Sequence, residues 1–235
     1  MNKNVFFTSV IITAAGNSSR MGNNDKLLLK IQNKTILEYT IESFEKAKSV
    51  DEIIIVTRED LIPEIEYIIK KNNYKRIKNI VVGGNCRQQS VYNGFLAINK
   101  KADFVSVHDG ARPFITAEEI DEIHKNGYEF KAVCCGTSIK DTVKKFDENG
   151  FIVETLDRNS LISVATPQIF DVKLYKQAVE KINFQFQNFT DDAGIVEQLG
   201  YKIKIVKCSY ENIKITTKED LSLAKIIIER RQKNV

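Results

Sequence analysis

VFFTSVIITAAGNSSRMG, residues 5–22, is the stretch on which the fold turns. Val5–Thr13 is a β-rich apolar run, continuous rather than alternating, as a strand covered on both faces requires. It passes directly into Ala14-Ala15-Gly16-Asn17-Ser18-Ser19-Arg20-Met21-Gly22, with Lys26 four residues further on. Small residues at a strand end let a ligand approach the backbone, and consecutive amide N–H groups can cradle phosphates. Arg20 offers a planar fork for phosphate oxygens and Lys26 a point charge. This is not a Walker A loop, because five residues separate Gly16 from Gly22 and no Lys-Ser/Thr follows. Nor is it a dinucleotide fingerprint, since Ser18 stands where the second glycine belongs. Two readings stay open at this point: a phosphate-holding loop, or a plain turn with surface basic residues. Met1–Asn4 ahead of the run has the outline of a signal peptide. Thr8, Ser9 and Thr13 break its apolar character, so a buried first strand is expected instead.

Outward from that unit, short apolar runs recur at Ile53–Thr57, Asn79–Val82, Phe104–His108, Ala132–Cys135 and Lys202–Lys207. Between them apolar residues fall on a helical period. Ile36, Leu37, Thr40, Ile41 and Phe44 form one set, and Ile62, Ile65, Ile68 and Ile69 the next. Val91, Phe95 and Ile98, then Ile120 and Ile123, then Leu221, Ala224, Ile227 and Ile228 continue the pattern. The alternation predicts one α/β domain over residues 1–235, with a mostly parallel sheet and helices on both faces. One segment departs from it. Thr142–Phe146 and Phe151–Thr155 flank Asp147-Glu148-Asn149-Gly150, and Asn-Gly predicts a type I′ hairpin. A lone two-stranded hairpin is marginal in water, so it should pack on its own domain or on a second subunit.

The composition narrows the class. Over 235 residues, 35 Lys+Arg against 31 Asp+Glu leave a formal charge of +4, too dispersed for a nucleic-acid binder but compatible with a small anionic ligand. At 43% hydrophobic and 28% charged the chain is neither disordered nor collagen-like. No apolar run is long enough to cross a membrane. Cys86, Cys134, Cys135 and Cys208 form no C-x-x-C pair, and only His108 and His124 are available to complete a zinc set. Reduced thiols in a cytoplasmic protein are the expectation.

Several segments carry chemistry. Gly83-Gly84-Asn85-Cys86-Arg87-Gln88-Gln89-Ser90 lies between a strand and a helix. It suits recognition of a base and ribose, or else Gly-Gly turns the chain while Ser90 or Gln89 caps the helix. In Val107-His108-Asp109-Gly110-Ala111-Arg112-Pro113-Phe114, Asp109 stands just past a strand, where carboxylates of open α/β sheets collect. A carboxylate there can share Mg²⁺ with nucleotide phosphates, while Arg112 binds an anion or simply pairs with Asp109. His108 is expected to point into the fold or orient a neighbour. Thr142, Arg158, Thr166 and Lys214 each have a bland structural reading, and Thr190 can N-cap a helix whose first turn holds Asp191 and Asp192.

Taken in order, these segments resemble the 2-C-methyl-D-erythritol 4-phosphate cytidylyltransferase family. The matching pieces are AAGNSSRMG…K (14–26), GGNCRQQSV (83–91), VHDGARPF (107–114) and KDTVK (140–144). TLDRNSL (155–161), ATPQIF (165–170), TDDAGIVEQLG (190–200) and NIKITT (212–217) complete them. The resemblance implies a Rossmann-like nucleotidyltransferase fold and a β-arm, residues 137–160, that joins two copies in a homodimer. It implies that Ala14, Ala15, Gly16, Ser18, Arg20 and Lys26 hold the CTP triphosphate, and that Gly84, Asn85 and Ser90 read cytosine and ribose. Asp109, Gly110 and Lys214 would lie at the metal, ribose and α-phosphate, with Mg²⁺ or another divalent cation on Asp109. Arg112, Thr142, Thr166 and Thr190 would hold the sugar phosphate, with Arg158 reaching it from the other subunit. Catalysis would fall to Arg20, Lys26 and Lys214, in the cytoplasm, with neither nucleic acid nor membrane as partner. Leu27-Leu28, Asn85 and Gly110 depart from the residues most usual in the family. The neighbouring alternative is ribitol-5-phosphate cytidylyltransferase, whose members tend to have Ala-Gly-Gly and lack an Asp157-Arg158 pair. A nucleotide-binding module without catalysis would lack Arg20, Lys26, Asp109 or Lys214, and all four are present.

Overall fold

Eleven strands follow one another as β1 (Thr8–Ala14), β2 (Lys30–Ile31), β3 (Lys34–Thr35), β4 (Glu52–Thr57), β5 (Ile77–Val82), β6 (Phe104–Asp109), β7 (Ala132–Ser138), β8 (Val143–Phe146), β9 (Ile152–Leu156), β10 (Ile162–Asp171) and β11 (Lys204–Lys207) among the described residues. The helices are α1 (Ile36–Lys46), α2 (Ile62–Asn72), α3 (Arg87–Leu96), α4 (Ala117–Phe130), α5 (Val172–Lys181), α6 (Asp192–Glu197) and α7 (Lys218–Lys233). The structure is a computed structural model and describes residues 6–16, 25–186 and 189–233. Val5, Ser18 and Arg20 lie outside those residues.

Seven strands form one sheet in the order β11-β7-β10-β6-β1-β4-β5. β1, β4, β5 and β6 run parallel, and β11 runs parallel to β7. Every residue of β4 and β6 is buried, which explains why both read as continuous apolar runs. Side-chain alternation sends Val10, Ile12, Ile53 and Ile55 into one core with α1, α4 and α7, and Ile11, Ile54 and Val56 into a second core with α3, α5 and α6. Thr35 with Glu38 and Thr116 with Glu119 form capping boxes that fix where α1 and α4 begin. On the second face α3 presses closely: a Cβ on Gly94 would sit 2.7 Å from Val56 Cγ2.

Three features depart from the sequence expectations. β10 is a ten-residue strand without a continuous apolar pattern, because Pro167 interrupts it. It runs antiparallel between β6 and β7 and absorbs Thr166 and Pro167, joined by a cis peptide, in a register shift. α5 is equally unannounced and is capped by Asp171, which accepts the N–H groups of Lys173 and Leu174 at 2.9 and 3.0 Å. The arm turn is not type I′. Only Gly150 is left-handed, at φ +84°, whereas Asn149 keeps a negative φ. The reason is Asp147, whose carboxylate accepts the N–H groups of Asn149 and Phe151 at 3.0 and 2.9 Å and closes a right-handed turn before the glycine.

Candidate active site

The chain runs from β1 outward to β4 and β5, then returns to place β6 on the other side of β1. The order therefore reverses between β1 and β6, and a crevice opens at the carboxyl ends of those strands. A cavity of about 530 Å³ fills it, lined by Ala15, Gly16, Lys26, Gly84, Asn85, Ser90, Asp109 and Lys214, together with Thr13, Leu27, Cys86, Arg87 and Ala111. The glycine loop, the Gly-Gly loop, the carboxylate after β6 and the lysine near the chain end thus meet around one space.

Each wall has a local cause. β1 ends in the buried Ala14, just before the cavity-lining Ala15 and Gly16. Gly83 approaches Ala15 so closely that a Cβ there would lie 2.5 Å from the alanine methyl. The next turn is shaped by its own side chains: Ser90 Oγ accepts the Gly84 N–H at 3.0 Å and donates to the Cys86 carbonyl at 2.9 Å. Gln89 Oε1 accepts the Asn85 N–H at 2.9 Å. The cap of α3 is neither of these residues but Cys86, whose Sγ accepts the Gln89 N–H at 3.4 Å. Likewise Asp191, not Thr190, caps α6 by accepting the Gly194 N–H at 2.9 Å.

Asp109 is the electrostatic centre. Its Oδ1 receives Arg87 Nε at 3.0 Å, and its Oδ2 faces Lys214 Nζ at 2.9 Å and Arg112 Nε at 3.4 Å. Burial would raise its carboxyl, but Arg87, Lys214 and Arg112 together outweigh that and hold it well below the usual carboxylate range. Arg87 also reaches Asp192 Oδ2 at 2.8 Å, and Tyr175 donates its hydroxyl to Asp192 Oδ1 at 3.0 Å. Asp192 is fully buried.

Behind Asp109 runs a chain of hydrogen bonds. The Asp109 N–H donates to Thr166 Oγ1 at 3.0 Å, Thr166 faces His108 Nδ1 at 3.2 Å, and His108 Nε2 meets the Arg112 carbonyl at 3.1 Å. A carbonyl only accepts, so Nε2 carries the proton and Nδ1 accepts from the threonine. Burial pushes the imidazole down to about 4, which keeps it neutral. His108 is thus inside the fold and orienting its neighbours. Asn212 closes the loop, donating to the Thr166 carbonyl at 3.0 Å and accepting Arg112 Nη1 on its own carbonyl at 2.9 Å. The Gly110 carbonyl is held by Thr40 Oγ1 at 2.9 Å.

The remaining sequence candidates lie elsewhere. Thr142 and Thr190 are exposed and do not line the cavity. Arg158 is exposed on the arm and donates to the Lys140 carbonyl at 2.7 Å. Three participants have no expected role at the site: Arg87, Thr13, whose Oγ1 lies 3.4 Å from Asp109 Oδ1, and Asp192, expected only in the first turn of a helix, where it does lie. Arg87 nevertheless leaves a trace. A cation in the first turn of α3 opposes the helix dipole and calls for a carboxylate nearby.

Comparison with known proteins agrees with this geometry. The family described as "IspD: 2-C-methyl-D-erythritol 4-phosphate cytidylyltransferase" matches residues 8–230. A protein of that name from Clostridium tetani is 43% identical over 221 residues, covering 94% of this chain and 89% of its own. Another of the same name, from Caldanaerobacter subterraneus, is 40% identical over 227 residues, covering 94% and 99%. Among solved structures, 4-diphosphocytidyl-2C-methyl-D-erythritol synthase from Anaerococcus prevotii superposes with a TM-score of 0.86 at 34% identity, covering 96% of this chain and 97% of that one. The strand order, the cavity walls and these relatives agree, and the chain belongs to the 2-C-methyl-D-erythritol 4-phosphate cytidylyltransferase family.

Proposed function

We propose that the chain transfers a cytidylyl group from CTP to 2-C-methyl-D-erythritol 4-phosphate, releasing pyrophosphate. The observation that carries this reading is the meeting of Gly16, Lys26, Gly84, Asn85, Asp109 and Lys214 around one cavity at the switch point of the sheet. A phosphate oxygen of the acceptor attacks the α-phosphorus, and pyrophosphate departs in line. Negative charge builds on the non-bridging oxygens, so Lys26 and Lys214, with Arg20, stabilise it as fixed cations. The acceptor phosphate is largely ionised at neutral pH and needs no strong base. The neutral, buried His108 is accordingly a support rather than a proton acceptor. On this reading Arg112, held by Asp109 and the Asn212 carbonyl, binds the acceptor phosphate, and Thr166 acts through the backbone of Asp109, since its hydroxyl is engaged there.

Among the described residues no three metal-binding side chains come together. One carboxylate plus phosphate oxygens is nevertheless the donor set that Mg²⁺ prefers, and Asp109 supplies that carboxylate. When bound, such an ion would neutralise charge on the triphosphate oxygens.

The arm supports a homodimer. Its strands pair only with each other among the described residues, and Phe146, Phe151, Ile152 and Val153 are 62–71% exposed. Apolar surface of that kind on a projecting hairpin fits a second copy of the chain, which would bring Thr142 and Arg158 towards the partner's acceptor site. No described helix is long and apolar enough to cross a membrane, and the four cysteines are unpaired, which fits a reducing cytoplasm.

The test is pyrophosphate release with Mg²⁺ and CTP, comparing methylerythritol 4-phosphate with ribitol 5-phosphate and with an ATP control. Preference for ribitol phosphate would overturn the acceptor assignment; release from ATP as fast as from CTP would overturn the base assignment. Phe151→Glu with Val153→Glu should turn a dimer into a monomer by light scattering.

A further inference from the structure

Arg58 lies outside every motif above and has no part in the chemistry. It follows the carboxyl end of β4, next to β1, with 28% of its side chain exposed. Its Nη1 donates to two acceptors that are distant in sequence from it: the Gly16 carbonyl at 3.2 Å and Asp25 Oδ2 at 2.8 Å. Its Nε and Nη2 fork onto the two oxygens of Asp60 at 3.0 and 3.1 Å. Asp25 is itself only 5% exposed, and its other oxygen accepts the Leu27 N–H at 2.9 Å. That bond caps the 3-10 turn Lys26–Leu28. Leu27 is buried, while Gly16 and Lys26 line the cavity.

We propose that Arg58 is a positioning residue for the nucleotide, clamping Gly16 to Asp25 and, through Asp25, fixing where Lys26 meets the triphosphate. The inference rests on reading the cavity as the CTP site. Arg58 is not itself among the cavity-lining residues, and two carboxylates already compensate its charge. Its contribution is therefore geometric. A guanidinium presents several donors in one rigid plane, so it can hold a carbonyl and a carboxylate while remaining anchored on Asp60. An ammonium at the same place carries the charge but not that fork.

The experiment is steady-state kinetics of wild type, R58A, R58K, D25N and R58A/D25N, with KM measured separately for CTP and for methylerythritol 4-phosphate. R58A and D25N should each raise KM for CTP about tenfold, as loss of a partly buried charge-assisted bond implies, while KM for the acceptor stays within about twofold. R58K should recover little of the loss. Guanidinium ion added at millimolar concentration should restore R58A and leave D25N unchanged. The double variant should be no worse than the weaker single one, because both break one chain of contacts. The clamp is overturned if an active wild type tolerates R58A without change in KM for CTP, if R58K behaves as wild type, or if the two single effects add. A wild type that releases no pyrophosphate from CTP would overturn the nucleotide reading and the clamp with it.

Discussion

Replacing Arg87 by Met isolates the ion network under the cavity, because the alkyl stem is kept and only the guanidinium is lost. Arg87 holds two carboxylates at once, Asp109 at 3.0 Å and Asp192 at 2.8 Å. The two would not suffer equally. Asp109 keeps Lys214 at 2.9 Å and Arg112 at 3.4 Å. Asp192 is 0% exposed and would keep the Tyr175 hydroxyl, so its charge would be left in the core beside a neutral donor. Removing one member of a buried pair costs about 3–5 kcal/mol, nearly all of which should fall on Asp192. For a chain of this size that corresponds to a fall in Tm of roughly 10 °C. The protein has no Trp, so urea unfolding should be followed by far-UV circular dichroism. Asp192→Asn removes the stranded charge and still accepts from Tyr175. The double variant should therefore be more stable than the sum of the single losses, by at least about 1 kcal/mol. A loss below about 1 kcal/mol in Arg87→Met, or simple additivity with Asp192→Asn, would refute the network.

Lys214→Ala should lower kcat/KM by about thirtyfold or more, equivalent to ~2 kcal/mol of lost transition-state stabilisation; single-turnover rates close to wild type would remove Lys214 from the chemistry. His124 is fully buried between Ser49 and Ser106, and burial pushes its imidazole down to about 4. Between that value and the unfolded-state value near 6.5 the unfolded chain binds the extra proton, so stability falls as pH drops across that window. In His124→Asn the slope of stability with pH between 6 and 5 should therefore shrink by about 1 kcal/mol per unit, measured by urea melts at each pH. The Cys208 thiol is held down to about 7, chiefly by a hydrogen bond from Cys135, while burial raises Cys134 and that same bond with burial raises Cys135. Iodoacetamide should then label Cys208 in the native protein with a half-maximal rate near pH 7 and spare the other two, as read by mass spectrometry.

The parts legible in the sequence are those whose cause is local. β1, β4 and β6 are buried on both faces, so their apolar runs carry the signal in every residue. Helices α1 and α4 announce themselves by period, and the structure adds the capping boxes of Thr35 with Glu38 and Thr116 with Glu119 that fix their starts. β10 is hidden because its central residues, Ala165 to Gln168, serve the loop that carries Asp109 rather than a regular ladder. The arm turn fails for a related reason: the Asp147 side chain, two residues before Asn149, overrides the Asn-Gly preference. At the site, eight residues picked from the chain gather around the cavity, since short loops at strand ends have nowhere else to go. Arg87 and Asp192 escape because their partnership spans 105 positions and is created only where α3, packed on β1 and β4, and α6, packed on β7, share one face of the sheet. Thr142 and Arg158 stand apart because the arm's strands pair with each other and leave both residues exposed and outside the cavity lining.

The arrangement around Asp109 changes what a lone carboxylate at such a position means. Arg87, Arg112 and Lys214 all lie within 3.4 Å of it, and Lys26 lines the same cavity. Three cations so close together repel one another strongly in a partly buried site. Asp109 offsets that repulsion, and Asp192 does the same from beneath Arg87. Among the described residues, three cations, Arg87, Arg112 and Lys214, against the carboxylates of Asp109 and Asp192 leave this network net positive beside the cavity. That sign suits the anionic phosphates of the proposed nucleotide. Asp109 is held ionised by its neighbours and is thereby unfit to act as a base near neutral pH. On the proposed reading, its work is to keep the cations in place before the nucleotide arrives, with their fields set in advance for the charge that develops at phosphorus. That is the condition under which fixed charges lower a barrier without having to reorganise during the reaction.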